Sequence, residues 1–331
     1  MLRNLLEYHW AEDLDEALIL LARTDVRTVP LAGGTYLLGR TDDEVQAVVD
    51  LRDLHLAYIE ADPRAAPAND FLRIGAMTSL QMLADAPALR EFATGMLARA
   101  AAASSSSRLI RNSATLGGTL AIGAQAQADL LTALAALDAE VVLRSGSRTQ
   151  VDLAGGSLER PGLALAGVTF KGKQERRVSL SVLGPERRAN ELIIEVAIPA
   201  ALAAGSGAFL RVGRTATDVA LLNAAALVEV RDDRYGLVRL ALGGVNMEPV
   251  RLGAVERQLE GQAVNQQGSN ALDVQRLANV LQAGMAGFQP PSDFRATSGY
   301  RRVVGMNLAF RALEEATNVS RWRNMVSSEG K

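Results

Sequence analysis

The sequence contains no cysteine and has two histidines, His9 and His55, among its 331 residues. The absence of thiols excludes disulfides, thiol nucleophiles and iron–sulfur ligation by this chain. Two imidazoles leave almost no material for a zinc site. Aromatic residues make up 4% of the chain, so alanine, leucine and valine supply most of the apolar mass. Any chemistry carried out here therefore needs something other than thiols or imidazoles.

The chain also lacks an excess of either charge. Lysine and arginine total 35 against 37 for aspartate and glutamate, a formal net charge of -2. No block of like charges stands out, so we expect no attraction to nucleic acid or to an anionic membrane surface. The N-terminus has no apolar stretch before a small-residue cleavage site, and the uncharged segment 112–128 is rich in Gly, Gln, Thr and Ser. We therefore expect no secretory signal, no membrane span and a cytoplasmic protein.

The hydrophobic pattern predicts a mixed α+β protein of two domains, in keeping with its length. Strands are predicted at 26–32, 47–51, 72–76, 140–143, 192–198 and 237–242. Helices are predicted at 13–22, 80–83, 96–103, 130–137, 220–226, 255–259, 274–283 and 301–314. The small, uncharged segment 199–205 marks the clearest domain boundary.

A first candidate site lies in Leu31–Leu37, where Gly33 and Gly34 follow a predicted strand. Two consecutive glycines permit a positive φ and leave backbone N–H groups uncovered, so that successive amides can converge on an anion. The Thr35 hydroxyl adds a donor. This arrangement suits a phosphate.

A second segment, 110–119, repeats this logic. It places Gly117 and Gly118 between the hydroxyl groups of Thr115 and Thr119, and Asp129 follows ten residues later. Two such loops could hold one diphosphate from both sides, although a glycine pair taken alone is more often a plain turn. Neither segment has the glycine spacing of the dinucleotide-binding fingerprint or of the P-loop.

These two segments resemble the FAD-binding medium subunit of molybdenum hydroxylases, the family that includes the flavoprotein subunits of carbon monoxide dehydrogenase and xanthine dehydrogenase. Further segments extend the resemblance over nearly the whole chain in the right order. They are 190–193 with 198–199, 212–214, 218–220, 240–245 with Pro249 and Arg251, 256–261, 293–298 and 300–302.

The resemblance implies a two-lobed FAD-binding domain of the p-cresol methylhydroxylase type over residues 1–201, with lobes of about 1–52 and 53–201. A smaller α+β domain, with a three-stranded sheet and a helical bundle, would follow at 205–318. The resemblance also implies residue roles, with a pyrophosphate at the two glycine segments, the adenosine ribose at Asp129, and the flavin near Ile193 and Arg211. The implied FAD-binding residues are Leu31, Ala32, Gly33, Gly34, Thr35, Tyr36, Leu37, Thr115, Leu116, Gly117, Gly118, Thr119, Asp129, Ile193 and Arg211, with no catalytic side chain and no metal ligand.

The implied function is electron transfer in an oxidoreductase. In the family, electrons leave a molybdenum cofactor on a large subunit, cross two 2Fe–2S clusters on a small subunit and reach this FAD. The FAD passes them to NAD, a quinone or another acceptor, and the assembly would be a dimer of heterotrimers.

Two alternatives remain open. The loop 123–128 lacks a proline of the family pattern, which favours a flavin-free structural subunit of the same assembly. A self-sufficient flavin oxidase fits less well, because the chain has no cysteine, and neither loop has a histidine, for a covalent flavin link.

Overall fold

The computed structural model describes residues 2–61, 71–123, 128–148, 170–188, 190–215 and 217–329. Their strands form three sheets, each covered by helices. The predicted α+β class is therefore confirmed. None of the helices in the described part of the chain combines the length and the hydrophobicity that a bilayer crossing requires.

The N-terminal lobe is a three-stranded parallel sheet with one helix. Its elements are β1 (Glu7–Trp10), α1 (Leu14–Leu21), β2 (Thr28–Leu31) and β3 (Ala47–Asp50). The strand order is β1-β3-β2, and β3 is buried along its length because it is the central strand. Asp13 caps α1 by accepting a hydrogen bond from the Glu16 amide, so the helix begins where the acidic turn predicts.

The second lobe is an antiparallel sheet that packs against a layer of helices. Its elements are β4 (Ile59–Ala61), β5 (Phe71–Gly75), α2 (Leu80–Asp85), α3 (Pro87–Glu91), α4 (Met96–Ala103), α5 (Arg108–Ser113), α6 (Leu116–Ile122), α7 (Ala128–Ala136), β6 (Glu140–Arg148), β7 (Phe170–Ser179), α8 (Leu183–Glu186) and β8 (Glu191–Pro199). The strand order is β4-β5-β8-β6-β7. Ile193 on β8 packs into the helical core, whereas Leu192 and Ile194 pack against the N-terminal lobe. The apolar run in β8 is explained by this burial on both faces.

The C-terminal domain is an antiparallel sheet covered by three helices. Its elements are β9 (Ser206–Val212), β10 (Leu222–Arg231), β11 (Arg234–Gly243), β12 (Val250–Arg251), α9 (Gly253–Leu259), α10 (Val274–Met285) and α11 (Ser298–Glu329). The strand order is β12-β11-β10-β9. The sheet therefore has the three expected strands and a fourth, β12, which is two residues long. Asp232 and Asp233 both have a positive φ in the tight β10–β11 turn, as a two-residue hairpin requires.

The helix predicted at 220–226 is wrong, because Ala224, Ala225 and Ala226 lie in β10. Ala224 and Ala226 face the core of the C-terminal domain, and Ala225 faces the core of the second lobe. Small side chains let the strand fit between α7 and α11, so tertiary packing overrides the helical propensity of alanine. The helix predicted at 301–314 is confirmed, but the prediction is too short, because α11 extends from Ser298 to Glu329.

Candidate functional site

A groove lies where the loop after β2 meets helix α6. Its volume is about 120 Å³, and it opens to solvent between the N-terminal and second lobes. The lining residues are Pro30, Ala32, Gly33, Gly34, Thr35, Tyr36, Leu37, Ala114, Thr115, Gly118, Thr119, Ala121 and Ile122. The fold therefore brings together the two segments that the sequence analysis singled out.

The contact between the two segments requires glycine at position 33. A Cβ atom on Gly33 would lie 1.6 Å from the Ser113 carbonyl oxygen, so no side chain fits there. Gly34 has a φ of +69° and turns the chain into the next residues. Both glycines are thus needed, one for a close approach and one for a left-handed backbone.

Five consecutive backbone amides along this loop have no hydrogen-bond acceptor in the described part of the chain. No described residue accepts a hydrogen bond from the backbone N–H groups of residues 33–37, whereas the carbonyl oxygens of Gly34 and Tyr36 accept from Leu38 and Gly39 within the turn. A row of free amides beside a groove is a ready set of donors for an anion.

The second glycine pair is not a turn, which corrects the sequence analysis. Gly117 and Gly118 lie in the first turn of α6, with Thr115 as its N-cap. The first three amides of the helix already have acceptors. These acceptors are the Thr78 carbonyl for Leu116, the Ala76 carbonyl for Gly117 and the Thr115 hydroxyl for Gly118.

The two segments therefore contribute differently to the groove. The loop supplies amides, and the helix supplies the side-chain hydroxyls of Thr115 and Thr119 together with a surface of small residues. Gly117 cannot carry a side chain because its Cβ would lie 2.7 Å from the Ala76 Cβ. Its role is thus the packing of α6 against the second lobe.

Three of the predicted residues lie behind the groove instead of along it. Leu116 is fully buried in the core of the second lobe, and Leu31 supports the loop through its carbonyl, which accepts from Leu51. Gly117 is the third.

Sequence analysis missed Ala121 and Ile122, which follow Gly118 by three and four residues. Had the glycine pair been recognised as helical, this spacing would have placed them on the same face.

Asp129 and Arg211 meet at the junction with the C-terminal domain. The Asp129 Oδ2 lies 3.3 Å from the Arg211 Nε, and its Oδ1 accepts a hydrogen bond of 2.7 Å from the Asn223 side chain. Asp129 is 5% exposed. Burial raises the pKa of its carboxyl, and the Asn223 amide and the Arg211 guanidinium offset only part of this effect. Its carboxylate thus has protein partners on both oxygens.

Ile193 does not line the groove. Its side chain is 5% exposed and lies in the helical core of the second lobe. Successive side chains of a strand point to opposite faces of the sheet. Leu192 and Ile194 face the N-terminal lobe, so Ile193 between them faces the helical core. A contact between Ile193 and a flavin stays a prediction.

A larger cavity of about 260 Å³ lies beyond the groove, between the second lobe and the C-terminal domain. Ala121 and Ile122 line both spaces, so the two are neighbours across α6. Leu131, Leu183 and Pro249 give the cavity an apolar wall, and Arg187, Glu248 and Arg251 lie at its polar side. Residues 124–127 of the loop 123–128, which lacks the family's proline, lie outside the described residues.

The chemistry of the groove fits a diphosphate. Amide and hydroxyl donors converge on it, and none of its lining residues carries a carboxylate. Arg40 stacks on the ring of Tyr36, 5.1 Å from its centroid, and adds a positive charge near the loop. No three histidine or acidic side chains of the described ranges lie close enough to hold a metal ion. Anion recognition here thus depends on the backbone, on hydroxyls and on one nearby arginine.

Comparison with known proteins gives the family of the chain. Residues 4–201 match the model of the FAD-binding domain in molybdopterin dehydrogenase, and residues 207–316 match that of the CO dehydrogenase flavoprotein C-terminal domain. The glyceraldehyde dehydrogenase medium chain of Sulfolobus acidocaldarius is 26% identical over 93% of this chain and 97% of its own length. A putative xanthine dehydrogenase FAD-binding subunit of Escherichia coli K12 is 26% identical over 93% of this chain and 95% of its own length.

Solved structures show the same fold. A chain of the carbon monoxide dehydrogenase from Hydrogenophaga pseudoflava superposes with a TM-score of 0.74 at 23% identity, over 96% of this chain and 99% of that chain. A chain of quinoline 2-oxidoreductase from Pseudomonas putida 86 superposes with a TM-score of 0.73 at 23% identity, over 95% of this chain and 98% of that chain. The chain therefore belongs to the FAD-binding flavoprotein subunits of the molybdenum hydroxylases, a family of oxidoreductases.

Proposed function

We propose that the groove binds the diphosphate of FAD and that the chain is the electron-transfer subunit of a molybdenum-containing dehydrogenase. The observation that carries this proposal is the row of amides at residues 33–37, which have no acceptor among the described residues and lie along a groove without carboxylates. Charge-assisted hydrogen bonds from such donors are about twice as strong as neutral ones.

Each wall of the groove has its own part in this binding. The loop amides donate to the phosphate oxygens from one side. The hydroxyls of Thr115 and Thr119 would donate from the other side. The Thr115 hydroxyl oxygen accepts from the Gly118 amide, which leaves the hydroxyl proton of Thr115 available for the ligand. Gly33 keeps the two walls at the required separation.

The flavin end of the cofactor would extend along α6 into the adjacent 260 Å³ cavity. Ala121 and Ile122 border both spaces, and the small side chain at 121 leaves room for a ligand to pass. The apolar wall of Leu131, Leu183 and Pro249 suits a planar ring system and excludes water from it. Adenine and ribose would then lie at the opposite end of the groove.

When bound, FAD supplies the redox chemistry, taking up electrons from 2Fe–2S clusters and releasing them to NAD, a quinone or another acceptor. The side chains of this subunit bind and orient the cofactor and shield it from water, with no acid or base required for electron arrival. The chain has no cysteine, so the iron–sulfur clusters and the molybdenum cofactor would lie on a small and a large partner subunit. The printed name of the Sulfolobus relative, a medium chain, supports such a multi-subunit assembly.

Native co-purification tests the proposal. The complex captured through this chain is expected to contain iron, molybdenum and one FAD per copy of the chain. An assembly that lacks this chain should retain iron and molybdenum but lose FAD and electron delivery to the acceptor. Iron and molybdenum without flavin would instead support the structural, flavin-free subunit. A flavoprotein that captures neither metal would overturn the electron-transfer role.

A further inference from the structure

The sheet of the N-terminal lobe has two edge strands, which differ in how well they are protected. β2 carries Pro30, which has no N–H group to donate, as is common on a protected edge. β1 carries neither proline nor lysine, and in the described part of the chain it pairs with β3 alone. Its outer side therefore offers unpaired backbone groups to another strand.

The ladder between β1 and β3 shows which backbone groups of β1 point outward. The Glu7 amide donates to the Gln46 carbonyl oxygen, and the Leu6 amide donates to the same oxygen. In a parallel pair, alternate residues of a strand bond to the neighbouring strand, so Tyr8 and Trp10 direct their backbone groups away from β3. The open edge thus presents the N–H and C=O groups of Tyr8, the N–H group of Trp10 and the C=O group of Leu6.

Two aromatic side chains on this edge are half exposed and held in place. Tyr8 is 49% exposed and Trp10 is 54% exposed. Their ring centroids lie 6.1 Å apart in an edge-to-face arrangement, and Arg52 lies over the Trp10 ring. The Tyr8 hydroxyl donates to Asp50, and the Trp10 indole N–H donates to Asp53. Ordered Tyr, Trp and Arg side chains whose polar atoms already have partners are typical of the residues that dominate protein interfaces.

The order of residues along β1 is complementary to itself. Two copies of β1 that pair antiparallel about a two-fold axis at Tyr8 place the outward backbone groups of the two Tyr8 residues opposite each other. The same register places Leu6 opposite Trp10 of the second copy on one face of the sheet, and Glu7 opposite His9 on the other. A shift of one residue would place Glu7 opposite Trp10 and lose both matches.

The match between Glu7 and His9 extends a contact that the single chain already makes. The His9 Nε2 lies 2.7 Å from the Glu7 Oε2, and the Arg23 guanidinium donates to the same carboxylate. In the paired register each imidazole lies between the carboxylates of the two copies. Complementary charged groups directly opposite each other stabilise a strand pair, so a second copy fits this edge in charge as well as in shape.

We propose that two copies of the chain associate through β1, which joins their N-terminal lobes into one sheet of six strands. Two short strands and a few side chains bury less than the roughly 800 Å² per partner of a stable dimer, so the association is weak and reversible. The inference is independent of FAD binding, because no residue of β1 lines the groove or the adjacent cavity.

Sedimentation equilibrium of the full-length chain measures the association directly. The average mass is expected to rise from 35.1 kDa toward twice that value as the chain concentration increases from about 1 μM to about 500 μM. Leu6→Lys should raise the dimer dissociation constant at least about tenfold, because a two-fold interface receives each substitution twice. Leu109→Lys on α5 is the matched control and should leave the constant unchanged, since Leu109 is 79% exposed against 76% for Leu6.

Single cysteines test the register, since the chain has no cysteine of its own. In the proposed pairing the Cα atoms of the two Tyr8 residues lie about 5.5 Å apart, within the range of a disulfide. Tyr8→Cys should therefore form a cross-linked dimer on mild oxidation. Leu6→Cys should not, because the two Leu6 positions are offset by about 13 Å along the strands. The double variant Leu6→Cys/Trp10→Cys should cross-link, since these positions face each other.

Four results would overturn the inference. The first is a chain that stays monomeric over the whole concentration range. The second is a dimer that Leu6→Lys does not weaken, which would place the contact elsewhere on the surface. The third is cross-linking of Leu6→Cys as readily as of Tyr8→Cys, which would contradict the register. The fourth is a monomeric chain that captures another protein and loses it on Leu6→Lys, which would assign the edge to that protein. Melting temperatures confirm that each variant is folded.

Discussion

Replacement of Gly33 by alanine perturbs the close contact between the loop after β2 and the end of α5. The new Cβ would lie 1.6 Å from the Ser113 carbonyl oxygen, whereas ordinary contacts begin at 3.4 Å. The obstacle is a backbone atom, which cannot rotate away as a side chain does. The loop and the C-terminal end of α5 must therefore separate by nearly 2 Å, which moves the loop amides away from the hydroxyls of α6.

The structure sets the size of the effect. Overpacking of this kind destabilises a protein by about 1–3 kcal/mol, which a domain of this size can tolerate. Binding should suffer more, because hydrogen bonds to a charged group contribute about 1.5–3 kcal/mol each and several would be broken together. Loss of two such bonds predicts at least a roughly 100-fold rise in the FAD dissociation constant.

The flavin-free variant is titrated with FAD, and binding is monitored by the quenching of flavin fluorescence. The melting temperature of the variant is measured separately by circular dichroism. Gly207→Ala in β9 is a suitable control, since its Cβ would lie 2.4 Å from the Ala93 carbonyl oxygen and neither residue lines the groove. It should destabilise the fold but leave FAD affinity unchanged. A folded Gly33→Ala chain that binds FAD within twofold of the wild type would refute the reasoning.

Three further outcomes are expected. Gly34→Ala and Gly261→Ala carry similar backbone strain of about 1 kcal/mol, since both positions have a positive φ (+69° and +78°). The Cβ at position 34 would also lie 2.9 Å from the Leu38 Cδ1, beside the groove, so FAD titration should detect weaker binding in Gly34→Ala alone. In Asp129→Asn, the melting temperature relative to the wild type should increase as pH rises above about 4, the ordinary pKa of an aspartate. The raised pKa of Asp129 makes the folded wild type bind its proton more tightly than the unfolded chain, so wild-type stability falls with rising pH until the folded carboxyl is ionised. A constant difference would contradict this. Arg251→Met breaks ion pairs to two carboxylates at the domain junction and should lower the free energy of unfolding by about 2 kcal/mol in a denaturant titration. Arg231→Met breaks a solvent-exposed pair and should leave the free energy of unfolding unchanged within error.

The sequence predicts much of the secondary structure because most elements have a clear period. Asp13, the first residue of the predicted helix 13–22, is the N-cap of α1, and Ser79, directly before the predicted helix 80–83, is the N-cap of α2. The stretch 220–226 was misassigned, since alanine runs favour a helix locally and nothing in the sequence reveals that β10 is packed between two helices. Non-local packing of this kind is invisible to periodicity.

The site was predictable in part for a similar reason. The Gly33-Gly34 pair marked the loop correctly, because positive φ and close approach are properties that the residue itself permits. The pair at 117–118 looked identical in sequence but serves helix packing, which depends on Ala76 from another element. The contact of Asp129 with Asn223 joins residues 94 apart in the chain, so only the fold could reveal it.

The central claim is that the groove between the loop after β2 and helix α6 holds FAD. The most direct measurement is the visible spectrum and flavin content of the purified full-length chain, before and after incubation with FAD and removal of the excess. The account predicts the two absorption bands of oxidised flavin and one FAD per chain, lost on Gly33→Ala. A folded, colourless wild-type chain that takes up no FAD would contradict it.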